Sequence, residues 1–306
     1  MQRPLVGVVG AGRVGSVIAA RLRHQGLDVV VSARSAASRL RVETTVPGVE
    51  VLAPVDVARR ADVLVLSVPD DELVRVTEEL VAVGAITAGQ VVVHTSGRHG
   101  LAALEAATRV GARAVALHPA MTFTGAPGEL AAENGLGCVF GLTAAGAERP
   151  VASWLVAELG GTGLWIDEEQ RVTYHAALAH GANHLVTLVA QAQDLLRSVA
   201  SSSDVPVDPS DVLRPLLTAA LDNALALGDA ALTGPIVRGD VTTVRAHVDA
   251  LAHESSETRD SYLALARATT RRAESGGRLD ADTSRQVRQV LREAEWDALA
   301  ETATRV

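Results

Sequence analysis

The 306-residue sequence contains no lysine: all 28 of its basic residues are arginines. A Schiff-base nucleophile and a lysine general acid are therefore excluded. The single cysteine, Cys138, cannot form an internal disulfide, which fits a reducing compartment. No apolar run approaches the ~20 residues of a membrane span. The N-terminus enters an apolar run within a few residues, without the charged, apolar and cleavage regions of a secretory signal. A cytoplasmic location with no membrane partner is the expectation. The formal net charge of −8, with no basic aromatic stripe, argues against a nucleic-acid partner. What is present is apolar content, 48% of residues, in a chain long enough for roughly two domains.

The most informative segment is Leu5 to Gly15. Leu5-Val6-Gly7-Val8-Val9 feeds into Gly10-Ala11-Gly12-Arg13-Val14-Gly15, and helical periodicity follows. A strand, a G-x-G-x-x-G turn and a helix start in that order form a dinucleotide fingerprint. Gly10 permits the tight turn, Gly12 lets the backbone approach a pyrophosphate, and Gly15 lets the helix lie close on the strand. The free N–H groups at that helix start, where Val14 lies in the first turn, favour the diphosphate's charge, and Arg13 can cover a ribose 2′-phosphate or the adenine.

The second strand, Leu27 to Val31, ends at Ser32-Ala33-Arg34-Ser35, about 20 residues past the glycines. An NAD site usually places a carboxylate there for the ribose 2′-hydroxyl, and this chain has none. Arg34 can instead pair with a 2′-phosphate while Ser32 and Ser35 donate hydrogen bonds to it. NADP is the expected cofactor. The competing reading makes Arg34 a solvated loop residue.

From Leu5 to about Ile166, short β-branched runs alternate with helical stretches, as in an α/β doubly wound parallel sheet. Further strands are expected at Asp62–Val68, Gln90–His94, Arg113–Leu117, Gly137–Gly141 and Gly163–Ile166, with a helix opening at Pro69. From Asp167 onward only helical periodicity remains, broken at Ser201–Ser210, Thr233–Asp240 and Ser275–Asp282. The expected organisation is a dinucleotide-binding domain over residues 1–166 and an all-α domain over 167–306. The long helix expected over Glu168–Ala200 is rich in small residues, and close pairing through it points to a homodimer.

In such a sheet, ligands sit beyond the carboxyl ends of the strands. Ser67, Pro69 and Asp70 occupy one such place and either touch the cofactor or cap a helix. Ser96, in His94-Thr95-Ser96-Gly97, either bonds a substrate oxygen or belongs to a plain turn. His118 is the first choice for catalysis, because hydride transfer to a ketone leaves an alkoxide and imidazole titrates near neutral pH. His94 shares its position at a strand end but has no acid–base partner in sequence. His175, His180 and Asn183 can share a broad helix face at ~100° per residue, with Asn183 orienting a carbonyl. His180 and His184 lack the glutamate of a zinc-binding H-E-x-x-H, so no metal is expected. Thr233 and Arg238 flank a Gly-Pro turn where Arg238 either clamps a substrate carboxylate or lies exposed, and Asp240 can cap the next helix.

Together, Gly10–Gly15, Ser67–Asp70, Thr95–Gly97, Leu117–Phe123, His175–Asn183 and Thr233–Asp240 resemble the bacterial family that joins a Rossmann-like domain to a C-terminal helical domain of unknown function. Some members are alternative NADPH-dependent ketopantoate reductases, which implies a small anionic substrate and pantothenate biosynthesis. The usual ketopantoate reductases and β-hydroxyacid dehydrogenases are similar in architecture but place a lysine four residues before a helix asparagine. Here Ala179 stands four residues before Asn183. His118-Pro119 is instead similar to the His-Pro motif of prephenate dehydrogenases, which implies an acid–base role for His118. The resulting expectation is an NADPH-dependent oxidoreductase of a 2-oxo acid, with His118 as donor, Asn183 and Ser96 orienting the carbonyl and His175 assisting. A prephenate- or 3-hydroxyacid-type dehydrogenase and a non-catalytic NADP-binding sensor are the alternatives.

Overall fold

The computed structural model describes residues 3–124, 135–200 and 207–304. It forms two compact units, residues 1–183 and 184–306. Periodicity alone places the division near Asp167, whereas the compact units part at His184.

The first unit is built on β1 (Val6–Val9), β2 (Val29–Ser32), β3 (Glu50–Val51), β4 (Val63–Leu66), β5 (Val91–His94), β6 (Arg113–Pro119), β7 (Val139–Ala144) and β8 (Thr162–Trp165). Their spatial order is β3-β2-β1-β4-β5-β6-β7-β8. The runs of β1, β2, β4 and β5 are buried on both faces, which is why they are apolar without alternation. Val6, Val8, Val29, Val31, Val63 and Val65 enter one core, and Val30, Leu64, Leu66 and Val92 enter another on the opposite face. Each such side chain contributes roughly 1.5–3 kcal/mol relative to exposure.

Helices α1 (Arg13–His24), α2 (Ala36–Thr45), α3 (Pro54–Arg60), α4 (Leu73–Ala82), α5 (Glu105–Arg109) and α6 (Arg149–Leu159) connect these strands. The side chain of Ser35 caps α2 by accepting from the Ser38 N–H at 3.0 Å. The strand order reverses between β1 and β4, so a crevice opens there at the carboxyl ends of the strands.

Three local expectations are corrected. The sheet is not wholly parallel, because β7 pairs antiparallel with β6. The helix after β4 opens at Leu73, not Pro69, since the Glu72 N–H closes a turn onto the Pro69 carbonyl at 3.0 Å. The expected helix over Glu168–Ala200 divides into a 3₁₀ turn (Glu168–Gln170), α7 (Arg171–Leu178), a π turn (Ala179–Asn183) and α8 (His184–Ala200).

The second unit continues from α8 with α9 (Pro209–Leu227), α10 (Pro235–Arg238), α11 (Val241–Leu251), α12 (Ser256–Ser275) and α13 (Ala281–Thr304). Residues 201–206 of the expected Ser201–Ser210 loop lie outside the described residues. Asp240 caps α11, accepting from the Thr243 N–H at 3.0 Å, as its spacing suggests. A further break between α11 and α12, capped by Ser255, has no proline or glycine to announce it. Val244, Leu263, Val287 and Leu291 form the unit's core. Among the described residues no helix is long and apolar enough to cross a membrane.

Candidate active site

The glycine turn is built as its sequence requires. Gly10 has φ +93°, and a Cβ there would stand 2.6 Å from the Ser67 carbonyl oxygen. A Cβ on Gly15 would strike the Gly10 carbonyl, so α1 can approach β1 only with glycine at this position. Gly12 is different: a Cβ there would meet no protein atom closer than 4.0 Å. Its bareness leaves room beside the start of α1, which is what a diphosphate needs.

Gly10, Gly12, Arg34, Ser35, Ser67 and Pro69 line a cavity of about 560 Å³. Ser32 also reaches its wall but is buried, and its Oγ accepts from the Gly10 N–H at 3.3 Å, bracing the turn. Arg34 and Ser35 are exposed at the end of β2, and Arg13 is exposed on the first turn of α1. Val14 packs partly against the core. Arg39, which sequence reasoning passed over, donates from Nε to the Ala33 carbonyl at 3.2 Å and lines a groove with Arg34. Its position on the first turns of α2 was the available signal. Asp70 does not line the cavity; its carboxylate accepts from Arg98 Nε at 3.2 Å.

Across the next strand ends, Thr95 Oγ1 donates to Ser67 Oγ at 3.2 Å. His94 is fully buried and uses both ring nitrogens locally: Nε2 donates to the Gly100 carbonyl at 2.9 Å and Nδ1 accepts from the Ser96 N–H at 3.2 Å. Burial pushes its pKa down to about 4, so it is a neutral structural residue. Ser96 is buried as well, with Oγ accepting from the His99 N–H at 3.2 Å, which favours the turn reading over substrate contact.

His118, near the end of β6, has the company expected of a chemical group. Its Nδ1 lies 3.0 Å from the Tyr174 hydroxyl, and its ring meets those of Tyr174 and His175 edge-on at 5.7 and 5.8 Å. The two histidines pack on Gly97, where a Cβ would lie 3.0 Å from His118 Nε2 and collide with His175. Burial, then the neighbouring His175 and Arg171, bring the His118 pKa down to about 4. This corrects the expectation of an imidazole titrating near neutral pH: His118 is neutral there and offers an N–H, not an imidazolium.

Tyr174 and Arg171 carry no motif in the sequence. Arg171 is wholly buried, donating from Nη1 to Thr143 Oγ1 at 3.0 Å and from Nη2 to the Ser96 carbonyl at 2.8 Å. It thereby fastens the start of α7 to the turn after β5. The shared helix face expected of His175, His180 and Asn183 assumes regular winding, but the π turn intervenes. His175 meets His118, while His180 and Asn183 are exposed on that wider turn. Thr233 and Arg238 are exposed in the second unit, Arg238 ending α10.

The family described as a Rossmann-like domain matches residues 1–119, and the domain of unknown function DUF2520 matches residues 138–269. A comparison with curated proteins finds no match. Solved structures similar to the chain include a candidate NADP oxidoreductase from Bacteroides fragilis, with 21% identity over 87% of this chain and 98% of that one and a TM-score of 0.71. A protein from Thermotoga maritima shares 20% identity over 89% and 99% of the two chains, with a TM-score of 0.62. A reductive aminase from Aspergillus terreus, in complex with NADPH, shares 18% over 97% and 95%, with a TM-score of 0.58. These structures share the fold.

Proposed function

For a chain that belongs to the family joining a Rossmann-like domain to DUF2520, we propose an NADPH-dependent reductase of a small anionic 2-oxo acid, with ketopantoate the first candidate. The observation that carries this reading is the cavity lined by the bare Gly12 together with Arg34 and Ser35, without a carboxylate at the end of β2. The N–H groups opening α1 would face the diphosphate, and Arg34 with Ser35 the 2′-phosphate. NADPH supplies the hydride when bound. The chain's own contribution is the proton, from the neutral His118 near the end of β6. An imine acceptor, as the reductive aminase likeness suggests, makes the same demand for hydride and proton.

The test follows NADPH consumption over a panel of 2-oxo acids, ketopantoate first, and then imines. Turnover is expected with a 2-oxo acid. The His118→Ala variant should lose roughly 10²–10⁴ of it while binding NADPH as before. Tight NADPH binding with no turnover across the panel would favour a sensor. Undiminished His118→Ala turnover would remove His118 from the chemistry.

A further inference from the structure

Arg171 presents a problem that the reading above does not use. Its side chain is wholly buried, its guanidinium donates to the neutral Thr143 hydroxyl and Ser96 carbonyl, and Nε has no hydrogen-bond partner. Among the described residues no carboxylate pairs with it, although a buried charge is costly unless compensated. The ionisable group that acts on it most strongly is Tyr174, ahead of Glu168 and Asp70.

Tyr174 is itself arranged in one direction. Its oxygen lies 3.0 Å from His118 Nδ1, and burial pushes its pKa up, so the phenol holds its proton at neutral pH. With Nδ1 as the hydrogen-bond partner of Oη, the hydroxyl proton is directed to Nδ1. A neutral His118 then carries its own proton on Nε2, the nitrogen beside Gly97. A neutral imidazole that surrendered the Nε2 proton alone would become an imidazolate, a very poor leaving state. A second proton arriving at Nδ1 removes that difficulty.

We propose that Tyr174 and His118 form a proton relay for the reduction, with the buried Arg171 as counter-charge to the Tyr174 phenolate. The proposal rests on the carbonyl-reductase reading. As the carbonyl carbon gains hydride, its oxygen takes the Nε2 proton of His118. Nδ1 takes the Tyr174 hydroxyl proton, and the O–H bond breaks to leave a phenolate countered by the charge of Arg171. A solvent proton at Nε2 and return of the Nδ1 proton to the phenolate restore the starting state. The other groups around the pair are His175 and Asp70 on the His118 side and Cys138 on the Tyr174 side.

Two measurements on the cofactor-free protein test the relay. In ¹⁵N-labelled protein, His118 should carry its proton on Nε2, and Tyr174→Phe should abolish that fixed tautomer. The chain has two tyrosines, so Tyr262→Phe leaves Tyr174 as the sole phenol, and its ionisation can be followed by tyrosinate absorbance. On that background Arg171→Gln should raise the midpoint by about one unit or more, and Arg171→Lys should stay near the parent. If Arg171→Gln does not fold, the tautomer and the Lys variant decide. With an active substrate, Tyr174→Phe should lower kcat roughly 10- to 100-fold at unchanged NADPH affinity. His118 protonated on Nδ1, or a phenol midpoint indifferent to Arg171, overturns the relay even where NADPH is consumed. The expected tautomer and titration without any turnover overturn the reductase reading, and with it the relay's catalytic role.

Discussion

The Glu168 carboxylate accepts the backbone N–H of Leu101 at 2.8 Å and that of Ala102 at 3.2 Å, joining the start of α7 to the turn after β5 across 67 residues. Arg171 makes the second tie, to Ser96. Two turns of chain are thus pinned together, and Tyr174 and His175 follow within a single helical turn.

Glu168→Ala should therefore do two things. Losing a charged acceptor from two N–H groups should destabilise the protein by roughly 1.5–3 kcal/mol. Turnover should fall with NADPH affinity unchanged, because the glycine turn is held by other contacts. Chemical denaturation beside NADPH titration checks both, and an unaltered kcat would show that Tyr174 and His175 are positioned without this tie.

Cofactor choice turns on the end of β2. NADPH should bind more tightly than NADH, and Arg34→Asp should narrow or reverse the difference by removing a charged phosphate contact, about 1.5–3 kcal/mol or tenfold and more in affinity. Calorimetry giving equal wild-type affinities would count against the assignment.

Acid stability has a defined sign. His94 and His118 have folded pKa values of about 4 against 6.5 for the ordinary side chain. Between those values the unfolded chain binds more protons, so stability is full above about pH 6.5 and is lost as pH falls towards 4. For His94, which is fully buried, the loss is on the order of 3 kcal/mol. Melting temperature measured from pH 7 to pH 4.5 should decline, and His94→Gln should decline less steeply. Parallel profiles would show that His94 is not a source of the acid sensitivity.

The second unit presents Val186 on α8 and Leu216 and Leu225 on α9 at 69%, 62% and 80% exposure. Exposed apolar side chains on these two helices predict pairing with a second copy of the chain. Sedimentation at micromolar concentration should give a dimer, and Leu216→Glu with Leu225→Glu a monomer. A monomeric wild type would refute this.

Much of the nucleotide half was legible in the sequence because its signals are local. Gly10, Gly12 and Gly15 sit between a strand and a helix, and Asp240 stands three residues before the N–H it caps. Strand direction is not local: the run at Val139 reads the same whether it lies parallel or antiparallel to β6. Tyr174 and Arg171 were hidden for a similar reason. Arg171 follows Glu168-Glu169-Gln170 and looks like part of a solvated face, yet folding buries it completely. Only the pairing of α7 with the ends of β5 and β6 gives either residue a chemical setting. His94 and His118 look alike in sequence, and their different partners separate them.

Gly141 lies opposite His118 in the β6–β7 register, and a Cβ there would stand 2.7 Å from the ring carbon and hydroxyl of Tyr174. One methyl group thus separates occupancy from turnover. A Gly141→Ala protein should still load its nucleotide, through a turn formed by other strands, while the phenol is displaced from the imidazole. In a living cell such an allele would distinguish two kinds of gene product. A phenotype it rescues comes from nucleotide binding, and one it fails to rescue comes from chemistry.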